Sequence, residues 1–315
     1  MPEMPIPDRK YGDIANDLDD FLSYLARLRV EPLDRIRLAL ANIRQIETAC
    51  SQGRAAALEL EKDARFPELI WSLVEGAEFA NIFRGIQGYD EAVVKKLMRK
   101  VVNAPLDPRL ETQNSNEGRN TLFELRLGAA LRASGASVTL GGLPDLVVDH
   151  VGFRLYIECK RPLGEHNIAR RADEACSQLR VRFDSDSHPN AVGMVAISVS
   201  RSLNAGGNKM LFVERESDIE PSLTKDLQRI YDSHCNAVRS QIDLRIIGVI
   251  CHVFTPVLVQ TKRRLIAASQ FDVFLEDHLR NVLPVAGDEL KALLDRLSPH
   301  QEGRNPRLPP PQSSL

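Results

Sequence analysis

The spacing of apolar residues in the first third of the chain is helical. An apolar residue recurs every three or four positions from Leu18 to Leu25 and again from Ile36 to Ile46. No strand-like alternation interrupts this pattern before residue 104. It therefore predicts an all-helical N-terminal region, preceded by a proline-bearing arm and ended by the prolines of residues 104–108.

The hydrophobic pattern changes after those prolines. A helical series over residues 121–133 precedes three short β-like runs at 137–140, 145–151 and 153–160. An apolar helix and an apolar strand follow, so the predicted order is αβββαβ and the fold class is α/β (α+β). The elements predicted beyond the three runs are a helix at 168–183, a strand at 192–200, a helix at 222–238, strands at 244–254 and 257–267, and a helix at 288–297.

These patterns divide the chain into four parts. We predict a flexible arm at residues 1–12, a helical domain at 13–104, a second domain at 109–298 and a disordered tail at 299–315. Residues 302–315 of this tail carry four prolines and have little apolar surface to bury.

Composition narrows the possible functions. Lys and Arg number 41 against 43 Asp and Glu, which excludes a chain that holds nucleic acid by bulk positive charge. The apolar runs at 192–199 and 246–254 are too short to cross a bilayer, so we expect no membrane partner. An odd number of widely spaced cysteines and the lack of an apolar leader indicate a reduced, cytoplasmic protein. The adjacent pairs His234-Cys235 and Cys251-His252 do not match zinc-finger spacing, and no zinc is expected.

The most informative stretch runs from Pro144 to Pro162. A two-residue turn at 151–152 places Asp145 directly opposite Glu158 on the neighbouring strand. Because strand side chains alternate, Lys160 lies on the same face as these two carboxylates, and the other face is nearly all apolar. The sequence therefore predicts two carboxylates and an ammonium group at one end of a hairpin.

This group of charges suits metal-assisted attack on a phosphodiester. Two close carboxylates repel one another unless a cation lies between them, and Mg²⁺ is commonly held by one or two carboxylates. Lys160 can position a metal-bound water and offset charge on a phosphate. The alternative is a solvated strand face with surface ion pairs such as Asp145–Lys160 or Glu158–Arg161.

Pro144-Asp145 followed by Glu158-Cys159-Lys160 resembles the motif of the PD-(D/E)XK nuclease superfamily. The resemblance covers residues 115–200 and implies a restriction-endonuclease-like αβββαβ core with a mixed sheet. It also implies hydrolysis of DNA, less often RNA, that depends on Mg²⁺, with Mn²⁺ as a substitute. In that case Asp145 and Glu158 bind the metal and Lys160 acts on the water.

The resemblance also implies supporting residues on two helices. Glu124 matches a further acidic residue of the family's first core helix and joins the metal ligands, with Glu117 as a second candidate one heptad earlier. Gln178 matches a polar catalytic residue on the helix after the lysine. Arg182, four residues further on, stands where some family members have tyrosine.

Local charge indicates where nucleic acid would bind. Residues 160–182 carry an excess of three positive charges, and Lys160 and Arg161 are the predicted phosphate contacts. Two alternatives stay open. The chain could be a catalytically silent nuclease-fold subunit that binds nucleic acid or a protein. The helices of residues 13–102 could instead be the main interaction module, forming a homodimer or a complex.

Overall fold

A computed structural model describes most of the chain. The described residues are 10–105, 111–112, 116–142, 144–150, 152–185, 188–204, 210–235, 238, 243–262 and 264–297. Most of the predicted arm, the predicted tail and much of the predicted boundary between the two domains lie outside these ranges.

The described N-terminal region is helical, as its apolar spacing predicts. The helices bury one face each; α1, for example, buries Leu18, Phe21 and Leu25. Asp90 caps the N-terminus of α5 (Glu91–Val102), where its carboxylate accepts hydrogen bonds from the backbone N–H groups of Ala92 and Val93. The helices are α1 (Tyr11–Arg27), α2 (Asp34–Ser51), α3 (Arg54–Glu61), α4 (Phe66–Ile86) and α5 (Glu91–Val102).

The second part of the chain alternates helices and strands. Helix α6 ends where Gly135 adopts a positive φ of 93°, a backbone conformation that glycine reaches without strain. The strands are β1 (Ser137–Leu140), β2 (Leu146–His150), β3 (Phe153–Lys160), β4 (Ala191–Ser198), β5 (Leu211–Val213), β6 (Ile246–Val259) and β7 (Arg264–Leu275). The helices are α6 (Glu117–Ala133), α7 (Ile168–Ser185), α8 (Ser200–Leu203), α9 (Ile219–His234), α10 (Leu279–Val282) and α11 (Gly287–Leu297).

The strands form one mixed sheet. Strands β1, β2 and β3 are joined antiparallel in that order, and β4 lies parallel beside β3. One edge of β6 pairs with β4 and further along with β5, both parallel, while its other edge pairs antiparallel with β7. From α6 to β4 the element order is αβββαβ.

Helices cover both faces of the sheet. One buried cluster joins α1, α2, α4, α5 and α6 to Leu146, Leu155 and Ile157 of the hairpin. A second cluster joins α7 and α9 to Tyr156 on the opposite face of β3. The predicted alternation of the hairpin is confirmed, but both of its faces are covered, which explains why β3 is buried along most of its length.

The predicted bounds of the last two strands are wrong, since β7 begins at Arg264 and ends at Leu275. The sequence pattern ends a strand at Phe254 and starts another at Val257, whereas β6 continues through Pro256 to Val259. Pairing with β4 ends at His252 and pairing with β5 begins at Val257. Pro256, which has no N–H to donate, therefore lies where the described strands leave that edge of β6 without a ladder partner.

Helices α4 and α6 approach closely at Gly85. A Cβ atom at this position would lie 2.0 Å from the Cβ of Ala129. We expect Gly85→Ala to lower the free energy of unfolding by about 1–3 kcal/mol, because the two helices must separate. Urea denaturation measures the change, and Gly142→Ala, where the nearest atom is 3.8 Å away, is the control. Equal stability of the two variants would contradict this packing.

Candidate active site

The hairpin β2–β3 has the predicted register. Leu146 pairs with Ile157 and His150 with Phe153, so Asp145 and Glu158 are the next opposed positions. The Asp145 carboxylate lies just before β2, and its Oδ2 accepts a hydrogen bond of 2.7 Å from the backbone N–H of Cys159. This bond ties Asp145 to the strand that carries Glu158 and Lys160.

Two cations flank the Glu158 carboxylate. Glu158 is only 3% exposed. The Nζ atom of Lys160 lies 3.6 Å from its Oε2, and the Nε atom of Arg182 lies 4.0 Å from its Oε1. Because α7 packs on this face of β3, Arg182 extends from the helix toward the strand. The predicted neighbours Glu158 and Lys160 are therefore in contact.

Glu124 brings a third carboxyl group to the site. Burial, and after it the charge of Asp145, raises the pKa of Glu124 to about 8, while Lys100 and Lys160 act in the opposite direction. Burial and Asp145 likewise raise the pKa of Glu158. Burial first and the charge of Asp145 second therefore make both carboxyl groups ionise less readily, and a bound cation would relieve the repulsion from Asp145.

The donor set fits a hard divalent cation. Carboxylate oxygens are the ligands that Mg²⁺ prefers, and Mg²⁺ usually takes one or two carboxylates and keeps several waters. Asp145 and Glu158 supply two such groups, and Glu124 a third nearby. Among the residues that the structure describes, no three or more His, Cys, Asp or Glu side chains form a ready-made metal cluster. A site with few protein ligands and several waters is consistent with both observations.

The repulsion predicts an unusual effect of Asp145→Asn. In EDTA we expect this change to raise the free energy of unfolding by about 1 kcal/mol. This value corresponds to a decrease of about one unit in the raised pKa of the neighbouring carboxyl groups. The amide removes a negative charge beside Glu124 and Glu158, and its carbonyl oxygen can still accept the Cys159 N–H bond. Urea denaturation in EDTA measures it.

The control for this prediction is Asp149→Asn. Asp149 is exposed and pairs with Arg154 at the other end of β2, so its loss is expected to change stability little. Added Mg²⁺ is expected to stabilise the wild-type chain and the control but not Asp145→Asn. A variant at Asp145 that is less stable than the wild-type chain in EDTA would contradict the repulsion.

The structure adds two cations that sequence reasoning did not place in the site. Arg182 lies beside Glu158. Its position four residues after Gln178, one helical turn along α7, is the sequence signal that indicates this placement. Lys100 of α5 lies near Glu124 and pairs with Glu117 at 2.8 Å. Gln178 is exposed on α7, one turn before Arg182. Its catalytic role stays a prediction.

Arg161 belongs to a buried ionic network. We define this network as Arg35, Glu75, Glu111, Arg119 and Arg161. Both terminal nitrogens of Arg161 donate to the Glu111 carboxylate, and the Nε atom of Arg119 lies 2.7 Å from the same group. Arg119 also reaches Glu75, which pairs with Arg35. The guanidinium of Arg161 is thus engaged by Glu111, and phosphate contacts of Lys160 and Arg161 stay predictions.

The histidines considered for zinc lie in different surroundings. His234 is 3.0 Å from the Glu165 carboxylate. His252 is buried between the rings of Phe123 and Phe271, and its Nδ1 lies 3.3 Å from the Ser198 hydroxyl. Burial holds the pKa of His252 well below its ordinary value, which favours the neutral ring.

Comparison with protein-family models, with curated proteins and with solved structures finds no match for this chain. In the described part of the chain, no helix has the length and apolar character needed to cross a bilayer. The functional argument therefore depends on the geometry and chemistry of the site itself.

Proposed function

We propose that this chain is a metal-dependent nuclease that hydrolyses phosphodiester bonds, with DNA as the favoured substrate. One observation carries the proposal. The Asp145 carboxylate is tied to the backbone of Cys159, which lies between Glu158 and Lys160. Two acidic groups and an ammonium group thereby meet at the end of one hairpin, as phosphodiester hydrolysis with a divalent cation requires.

The surrounding fold supports the same proposal. The order α6-β1-β2-β3-α7-β4, with three antiparallel strands followed by a parallel one, agrees with a restriction-endonuclease-like core. In that core the hairpin motif and an acidic residue of the first helix belong to one site. Glu124 on α6 supports this proposal, because burial and the charges of Asp145 and Glu158 raise its pKa.

Each residue of the site has a proposed role. Asp145 and Glu158 would hold Mg²⁺, with Glu124 in support, and the ion would supply an acidified water and neutralise charge on the phosphate. Lys160 donates hydrogen bonds to the attacking water or to a phosphate oxygen, and its distance from Glu158 keeps the ammonium at the site. Arg182 offsets the negative charge of Glu158 from the side of α7.

The proposal is tested by cleavage on several substrates. Purified full-length chain is incubated with supercoiled plasmid, linear duplex DNA, single-stranded DNA and RNA, each in Mg²⁺ and in EDTA. We expect cleavage of at least one DNA substrate in Mg²⁺ and none in EDTA. If no substrate is cut in Mg²⁺ or Mn²⁺ while DNA is still bound, the catalytically silent alternative replaces the nuclease.

A further inference from the structure

A polar cleft opens beside the proposed active site. It lies between α4, α6 and the ends of β3 and β4, and its lining includes Trp71, Glu78, Arg161, Ser198 and Arg201. Arg161 follows β3 directly, Ser198 ends β4, and Arg201 lies in α8 just beyond. In open α/β sheets, ligands bind outside the carboxyl ends of parallel strands. The cleft has this position relative to β3 and β4.

Glu78 contributes an acceptor that the described protein leaves unused. Within the described residues its carboxylate accepts no hydrogen bond and forms no close ion pair, although it is mostly buried. Burial raises the pKa of Glu78, while the charges of Arg161 and Arg119 act against the shift. A mostly buried carboxyl group without a partner calls for an explanation, because desolvation of such a group is costly.

Arg201 contributes an unused donor to the same cleft. Its Nε atom is buried and has no hydrogen-bond partner in the described part of the chain, where the guanidinium also forms no ion pair. Arg161, in contrast, is engaged by Glu111. The cleft thus presents one acceptor and one donor that have no partner among the described residues, next to an indole ring.

We propose that this cleft binds a guanine base, with Glu78 accepting its N1–H and N2–H groups and Arg201 donating to its O6 and N7. Guanine is the base that offers a carboxylate two adjacent N–H donors and also offers a guanidinium two adjacent acceptors. A bare phosphate would leave Glu78 unsatisfied and repelled. The substrate class rests on the proposed function, in which an unpaired or extruded guanine would enter the cleft while the neighbouring backbone lies at Lys160.

The test uses the single tryptophan of the chain as its reporter. Trp71 lines the cleft, so a ligand there is expected to change its fluorescence. The full-length chain in EDTA is titrated with guanosine, adenosine, cytidine and uridine 5′-monophosphates and with inorganic phosphate, and calorimetry repeats each titration. We expect the guanosine nucleotide to bind at least about tenfold more tightly than the others, with no saturable binding of phosphate alone.

Four variants complete the test. Glu78→Gln and Arg201→Ala are each expected to weaken binding of the guanosine nucleotide by about tenfold or more, and Arg201→Lys to restore only part of it. Arg37→Ala, an exposed change on α2, is the folding-matched control. Equal binding of all four nucleotides, or unchanged affinity in both Glu78→Gln and Arg201→Ala, would overturn the proposal.

This binding test separates the cleft from the nuclease. Guanine-selective binding by a chain that cuts no nucleic acid would support the cleft and reject the nuclease. Cleavage of nucleic acid without guanine selectivity in the titration would reject the cleft alone.

Discussion

Replacing Lys160 with Ala is expected to reduce DNA cleavage in Mg²⁺ by about 10²- to 10³-fold, the usual effect of removing one group that stabilises transition-state charge. The ammonium lies 3.6 Å from Glu158 and is only 14% exposed, so no other described cation is placed to replace it on that side of the carboxylate. Single-turnover cleavage of an end-labelled duplex measures the loss.

Two further measurements define the role of Lys160. Calorimetry is expected to find Mg²⁺ binding retained in Lys160→Ala, because the lysine is not a metal ligand. Lys291→Ala, an exposed lysine on α11, is the matched control and is expected to cut at the wild-type rate. Cleavage by Lys160→Ala at the rate of the Lys291 control would remove the lysine from the mechanism.

Replacing Glu111 with Ala is expected to lower the free energy of unfolding by about 3–5 kcal/mol, the range seen when one partner of a buried ion pair is removed. The Glu111 side chain is fully buried, and it receives hydrogen bonds from Arg161 while pairing with Arg119. Its loss leaves two mostly buried guanidinium groups without that counter-charge. Urea denaturation followed by circular dichroism measures the change.

A surface ion pair provides the control for Glu111. Glu59 of α3 pairs with Lys62, the residue after the helix, and both side chains are exposed. Glu59→Ala is therefore expected to cost less than about 1 kcal/mol. Glu111→Gln, which keeps one acceptor oxygen, is expected to fall between the two. If Glu111→Ala matches Glu59→Ala, the ionic network contributes little to stability.

The hairpin could be predicted from sequence because its determinants are local. The two-residue connection at 151–152 and the alternation of apolar residues fix which positions oppose one another, and the observed pairs agree. That register places Asp145 opposite Glu158, near the end of β3, and no tertiary information is needed to predict it. Strands β1 and β3 have their predicted bounds for the same reason.

Other parts of the site depend on long-range packing. No helical or strand-like pattern of apolar residues follows Glu111, so the sequence does not predict where its side chain lies. In the structure its carboxylate accepts a hydrogen bond from Arg161, 50 positions further along the chain. The neighbours of Arg161 in sequence predict a phosphate contact and give no sign of its pairing with Glu111. The charge of Lys100 lowers the pKa of Glu124 because α5 packs beside α6, and sequence spacing does not predict that packing.

The extent of β6 shows the limit of local strand signals. A proline within a run of strand-forming residues usually indicates an edge strand or the end of a strand, and the sequence pattern predicts a strand end before Pro256. The strand continues because β4 and β5 occupy the same edge of β6 at different heights and leave Pro256 in the gap between them. That arrangement depends on which strands pair with β6, and the local sequence around Pro256 does not predict those pairings.

The most direct measurement compares cleavage by the wild-type chain and by Asp145→Asn, on one DNA substrate, in Mg²⁺ and in EDTA. We expect cleavage only by the wild-type chain in Mg²⁺, although Asp145→Asn is the more stable protein in EDTA. A gain in stability with a loss of activity is typical of a destabilised active-site group, and the dependence of cleavage on Mg²⁺ assigns the role of this group to cation binding. Equal cleavage by the two chains, or wild-type cleavage that persists in EDTA, would contradict a metal-dependent site at Asp145 and Glu158.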